Sequence, residues 1–217
     1  MDVTRLPDKH RAVLLLGPTG SGKTPLGELI ERRGLWGAKC SHFDFGANLR
    51  AAVHRDRVDE TTCRDPGFLS RQDVEFLRQV LASGALLEDE RFPIAQRILL
   101  SFIARRGADQ NTWLVLNGLP RHAGQAQAID EILSVEAVVH LDCSGRTIFE
   151  RIRSNVGGDR AGRADDSLDA VRRKLVLFNR RTAPLAEHYN RREARIITVN
   201  VTSETTAEEM WKVVNRS

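Results

Sequence analysis

The stretch Gly17-Pro18-Thr19-Gly20-Ser21-Gly22-Lys23-Thr24 matches every fixed position of the phosphate-loop pattern G-x-x-x-x-G-K-S/T. Its flanks read as the strand and helix that the pattern requires: an apolar run at 12–16 before it, and Leu26, Leu29 and Ile30 at helical spacing after it. Glycines let backbone N–H groups turn inward around phosphate oxygens, and the following helix N-terminus adds its positive dipole end. Lys23 is then placed to reach the β- and γ-phosphates, and the Thr24 hydroxyl to ligate Mg2+. A nucleoside triphosphate site is the strongest single inference in the chain.

A phosphate loop leaves the phosphoryl acceptor undefined, so other residues must specify it. Asp44-Phe45-Gly46-Ala47-Asn48-Leu49-Arg50 presents Arg50 one turn after a glycine. Asn117-Gly118-Leu119-Pro120-Arg121 follows the apolar run 113–116, at the sheet edge where open α/β folds bind ligands. Gln125 comes four residues later on the same helical face, and Arg151 and Gly162-Arg163-Ala164-Asp165-Asp166 flank a Gly- and charge-rich stretch at 154–166. Phosphoryl transfer needs positioning and charge neutralisation more than covalent help. A cleft holding Lys23, Arg50, Arg121, Arg151 and Arg163 would supply both.

The elements that must position these groups alternate. Near-continuous apolar runs at 12–16, 113–116, 137–141 and 195–199, with a weaker one at 39–43, predict five strands of a buried parallel sheet. Between them lie helices: one from Gly22 to Gly34, and one capped by Ser70 and Asp73 that carries Val74, Leu77, Val80 and Leu81 and stops at Gly84. Ile94, Ile98, Phe102 and Ile103 mark another, and Val171, Leu175, Phe178, Thr182 and Leu185 a long one after Asp166, interrupted near Pro184. The expected fold class is α/β, a three-layer phosphate-loop NTPase fold with a parallel five-stranded sheet. The 217 residues read as one domain: a core (1–43, 109–153, 167–217), a helical insertion (44–108) and a short polar flap (154–166). Insertion and flap look like closing elements that keep water from the reaction.

Composition narrows the partners. Apolar residues make up 41% and charged ones 29%, which argues against general disorder. No apolar run approaches the length of a membrane span or a signal-peptide core, so a cytoplasmic location is expected. Cys40, Cys63 and Cys143 are too few and too scattered for a disulfide framework or a paired-cysteine metal site. The net charge is +4, and 28 of the 33 cationic residues are arginine. That balance suits a polyphosphate cleft as well as nucleic acid, and no long basic run or aromatic-rich basic face favours the latter.

Taken together, the motifs resemble the adenylate kinase family of nucleoside monophosphate kinases over nearly the whole chain. The phosphate loop, Gly46-x-x-Leu49-Arg50 and Gly84-Ala85-Leu86-Leu87-Glu88-Asp89 are similar to the first half of that family's pattern. Gly118-x-Pro120-Arg121 with Gln125-Ala126 looks like its central signature; Arg163-x-Asp165-Asp166 and Thr182-Ala183-Pro184-Leu185 with Tyr189 resemble its closing segment. The flap is like the family's short lid. The resemblance implies reversible, Mg2+-dependent transfer from ATP to AMP by a monomer that engages neither nucleic acid nor membrane. It implies that Arg50 and Arg121 hold the acceptor phosphate and Gln125 reads its base edge. Phe45, Gly46, Gly118 and the backbone around Leu86, Leu87 and Glu88 would line the same pocket. Arg151 would stack on the ATP base, Arg163 would close onto the transferring group, and Asp165 and Asp166 would orient lid arginines. Lys174 would join Lys23, Arg121 and Arg163 in catalysis.

The chain departs from the family pattern at five positions. Phe45 stands where the family has a small hydroxyl residue, Leu119 where it has an aromatic, and Asn155 where it has a lid arginine. Lys174 replaces an arginine and loses the bidentate fork. Asn117 replaces the aspartate that orders magnesium waters, leaving an amide to act through water. Two alternatives stay open: a kinase for another monophosphate or small acceptor, and a low-activity ATP- or AMP-sensing module. The phosphate-loop string is also similar to that of tRNA-modifying prenyltransferases, but nothing downstream matches.

Overall fold

The computed structural model describes residues 9–54, 69–83, 87–158 and 167–217. Strands β1 (His10–Leu16), β2 (Cys40–Asp44), β3 (Trp113–Asn117), β4 (Leu133–Asp142) and β5 (Arg195–Asn200) form one parallel sheet in the order β2-β3-β1-β4-β5. Between β1 and β2 lies α1 (Lys23–Arg33); between β2 and β3 lie α2 (Phe45–His54), α3 (Arg71–Ser83) and α4 (Phe92–Arg106). Helix α5 (Ala123–Asp130) precedes β4, and α6 (Gly145–Ser154), α7 (Leu168–Leu177) and α8 (Leu185–Asn190) precede β5. Helix α9 (Ala207–Arg216) closes the chain. No helix among the described residues is long and apolar enough to cross a membrane.

Both sheet faces are covered, and this is why the strands read as unbroken apolar runs. In β1, Ala12, Leu14 and Leu16 join a core built with α2, α3, α4, α5 and α8, while Val13 and Leu15 join a second core built with α1 and α9. The result is the expected three-layer α/β phosphate-loop fold. Leu14, Leu16, Leu114 and Leu116 are at most 1% exposed, and each such side chain contributes about 1.5–3 kcal/mol by leaving water. Phe43 of β2 packs edge-on against Phe102 of α4 with ring centroids 5.1 Å apart, tying the helices after β2 to the sheet.

Local signals act as expected where they are strong. Helix α1 runs between Gly22 and Gly34, and the Gly34 N–H donates to the Ile30 carbonyl. Ser70 and Asp73 cap α3 reciprocally: the Ser70 N–H donates to Asp73 Oδ2 at 3.0 Å, and the Asp73 N–H to Ser70 Oγ at 3.1 Å. Three features differ from expectation. Strand β4 starts at Leu133 rather than 137, because its first residues pair with His10–Ala12 while Ser134 faces solvent and breaks the apolar run. The long helix after 166 is interrupted at Pro184 as expected, but the break begins earlier, with a π-helical turn at Phe178–Thr182. Helices α6 and α9 are not among the expected helices, although both are strongly amphipathic and Thr206 and Glu209 form a full capping box at the start of α9. Gly84, Leu86, Cys63, Arg163, Asp165 and Asp166 lie outside the described residues.

The topology fixes where a site can form. From β1 the chain crosses to β2 on one side, and from β3 it crosses to β4 on the other. The carboxyl ends of adjacent β1 and β3 therefore open into a crevice between diverging loops, the place where doubly wound sheets hold ligands.

Candidate active site

The loop after β1 bends through left-handed backbone at Gly20 (φ 80) and Gly22 (φ 99). A side chain at Gly20 would also meet Ile152 of α6 at 2.9 Å, so conformation and packing both select glycine there. The Lys23 ammonium donates to the Gly17 and Pro18 carbonyls, each at 2.7 Å. Ser21 is buried, and its hydroxyl donates to the Pro18 carbonyl at 2.9 Å. Gly17, Thr19, Gly20, Gly22, Lys23 and Thr24 line a cavity of about 250 Å3.

Arg151, expected against the ATP base, is held by main-chain carbonyls in this structure. It is 3% exposed. Its guanidinium donates to the Gly20 carbonyl at 3.1 Å and to the Thr202 and Thr205 carbonyls at 2.8 Å. Committed to three carbonyls, the guanidinium braces the phosphate loop against the segment between β5 and α9. Replacing Arg151 with methionine keeps the volume and strands those carbonyls, so stability should fall by about 2–3 kcal/mol in urea unfolding. Affinity for ATP and for inorganic tripolyphosphate should fall together by calorimetry; loss for ATP alone would restore the base-stacking role.

Beside the loop, three side chains meet, from the first turn of α1 and the ends of β2 and β3. The Thr24 hydroxyl donates to Asp44 Oδ2 at 2.8 Å, and the Asn117 amide donates to Thr24 Oγ1 at 3.1 Å and Asp44 Oδ2 at 2.9 Å. Asp44 and Asn117 are paired in register across β2 and β3. Sequence reasoning assigned Asp44 no role beyond opening the insertion; the available signal was an acid closing an apolar strand at the ligand-binding edge of the sheet.

The other half of the same cavity is built from α2, α5 and the turns that precede them. Phe45, Gly46 and Arg50 line it from α2, Leu87 from the segment before α4, and Gly118, Arg121 and Gln125 from the turn after β3 and from α5. Phe45 is buried and also belongs to the core, its ring 6.2 Å from that of Phe43. Arg121 is half-buried, its main chain held on both sides: its N–H donates to Gln125 Oε1 at 2.8 Å and its carbonyl accepts from the Thr182 hydroxyl at 2.7 Å. No carboxylate among the described residues pairs with its guanidinium, and burial alone pushes its pKa below the ordinary arginine value. Such a group is costly unless an anion accompanies it. Lys174 of α7 and Thr182 of the π-helical turn complete the lining.

Gln125 is fully buried, and its amide also donates to the Leu87 carbonyl at 2.8 Å. His122 Nε2 donates to that same carbonyl at 2.8 Å, a structural part that sequence reasoning missed. The NH2 and the carbonyl oxygen of the Gln125 amide each keep one hydrogen-bonding position in reserve. Gln125→Leu removes both main-chain bonds and should cost about 1–3 kcal/mol by urea unfolding; unchanged stability would contradict this bracing. Glu88 does not line the cavity; it forms a bidentate pair with Arg181, at 2.7 Å for one arm, which holds its carboxyl below the usual range. Asn155 sits at the end of α6 with φ 48, a left-handed C-cap position that asparagine tolerates.

No family model matches the chain. Curated relatives do. Over 185 residues it is 32% identical to the adenylate kinase of Stenotrophomonas maltophilia (strain R551-3), covering 82% of this chain and 84% of that one. Over 187 residues it is 32% identical to the adenylate kinase of Synechococcus sp. (strain CC9311), covering 83% and 85%. The adenylate kinase of Xanthomonas campestris pv. campestris (strain 8004) is also 32% identical over 187 residues, covering 83% of this chain and 86% of its own. The chain belongs to the adenylate kinase family. It is thus a phosphotransferase of the nucleoside monophosphate kinase class. Within the adenylate kinase fold, the phosphate loop and the Arg121–Gln125 turn flank one crevice.

Proposed function

We propose that the protein catalyses reversible phosphoryl transfer from Mg·ATP to AMP, giving two ADP, as a cytoplasmic monomer. The observation that carries the reading is a single cavity with the phosphate loop at one end and Arg121, Arg50 and Gln125 at the other. Two polyanions must approach each other there against their repulsion. Lys23 would hold the β- and γ-phosphates of ATP, Arg121 and Arg50 the phosphate of the acceptor, and Lys174 the charge developing between them. Gln125 would use its reserve donor and acceptor on the acceptor base. In this reading 44–108 is the acceptor-binding insertion and 154–166 the lid, with Arg163, Asp165 and Asp166 acting from it.

Oxygen donors at the phosphate-loop end, Thr24 foremost, fit a hard cation such as Mg2+. When bound, Mg2+ neutralises charge on the β- and γ-phosphates. No covalent intermediate is needed; the chain's own groups align attacking and leaving oxygens and keep water out.

A second reading, transfer to a different monophosphate, is favoured by Phe45, whose ring occupies part of the acceptor wall. Initial rates with AMP, dAMP, CMP, UMP and GMP at fixed Mg·ATP separate the two. The proposal expects AMP to have the highest kcat/KM. Preference for another monophosphate moves the acceptor assignment to that base, and transfer to none of them overturns the reading.

A further inference from the structure

Asn117 removes a negative charge from the corner where the family places an aspartate, yet the corner is not without a carboxylate. Among the described residues lining the cavity, Asp44 is the one acid, facing Lys23, Arg50, Arg121 and Lys174. We propose that Asp44 supplies the carboxylate of the divalent-cation site, and that Asn117 is its positioning residue, so that the acidic function has moved from β3 to the register partner on β2. This rests on the reading of the chain as a metal-dependent phosphotransferase.

Hydrogen-bond bookkeeping at Thr24 supports the assignment. A hydroxyl has one proton and two lone pairs. The proton goes to Asp44 Oδ2 and one lone pair accepts from the Asn117 amide. The second lone pair remains for a cation, and no proton competes with it. Asn117 acts here as a donor on both of its contacts, which holds the carboxylate in place and gives the cation nothing to bind at that nitrogen.

Asp44 also caps α2. Its Oδ1 accepts from the Ala47 N–H at 2.8 Å, and its main-chain carbonyl accepts from the Asn48 amide at 2.9 Å. Capping alone is served as well by serine, threonine or asparagine, and it engages only Oδ1. The second oxygen, Oδ2, faces the phosphate loop and already accepts from Thr24 and Asn117, so the carboxylate would act on the cation through its water shell and not as a direct ligand. With both oxygens fixed, the carboxylate is held before any cation arrives, as a preorganised metal corner requires.

Serine at 44 separates the two roles, since it retains the cap and removes the charge. The test is Mn2+ binding, followed by electron paramagnetic resonance, to the protein saturated with an imido-bridged, non-hydrolysable ATP analogue. Asp44→Ser is expected to weaken Mn2+ binding by roughly tenfold or more, with analogue affinity in EDTA unchanged. The double variant Asp44→Ser/Asn117→Asp, with the acid returned to β3, should regain that affinity. Unaltered Mn2+ binding in Asp44→Ser would overturn the proposal, as would an equal loss of analogue affinity in EDTA. Should Asp44→Ser not fold, Asn117→Asp alone decides: a second carboxylate at the corner should tighten Mn2+ binding, and no change would count against the assignment. Because no acceptor is present, this result stands apart from the acceptor screen, and either proposal can fail while the other survives.

Discussion

Replacing Arg121 with lysine should lower kcat/KM for the acceptor monophosphate by about a hundredfold while ATP affinity stays unchanged. Its main chain is pinned by Gln125 and Thr182, so the guanidinium starts from a fixed base. The side chain is half-buried without a carboxylate partner among the described residues, and its pKa is pushed down by desolvation alone. An acceptor phosphate would supply the missing anion, in the two-pronged geometry that guanidinium matches and ammonium does not. Lysine keeps the charge and loses the fork, so the defect should appear in both KM for the acceptor and kcat. Steady-state kinetics with each substrate varied in turn make the check. An equal defect in ATP affinity would mean that Arg121 serves the whole cleft and not the acceptor.

Lys23→Ala should remove activity more completely, by about a thousandfold, with the fold intact. The ammonium lies over its own loop, held by the Gly17 and Pro18 carbonyls. The loop's shape is secured independently by the left-handed glycines, the Ser21–Pro18 hydrogen bond and the Arg151 brace. Removing the lysine therefore takes away charge at the β- and γ-phosphates and leaves the cradle standing. Single-turnover transfer with a saturating acceptor, together with thermal unfolding, gives the reading. A variant that retains a tenth of the wild-type rate would contradict the assigned part of Lys23.

Much of this architecture could be read from residue order. Strands buried on both faces announce themselves as apolar runs, and the glycines at 22 and 34 bracket α1. Boundaries blurred where burial was partial: the first residues of β4 mix buried and exposed positions. The phosphate loop and the Arg121–Gln125 turn were legible because each is local, with backbone and side chains supplied by one stretch of chain. The parts that sequence reasoning did not supply are all contacts across the fold. Arg151 finds its acceptors in the loop after β5, a partner no local spacing reveals. Asp44 and Asn117 become neighbours only through the pairing of β2 with β3. His122 bonds the Leu87 carbonyl, 35 residues earlier, a pairing equally hidden from local spacing.

If the two halves of one cavity bring a triphosphate and a monophosphate together for direct transfer, phosphorus NMR of a mixture of Mg·ATP and AMP with catalytic protein will register it. ADP resonances should grow at two ADP per AMP consumed, the same equilibrium should be approached from ADP alone, and Lys23→Ala should give no growth. Release of inorganic phosphate in place of ADP from AMP, or no change in the spectrum while ATP binding is intact, would contradict direct transfer.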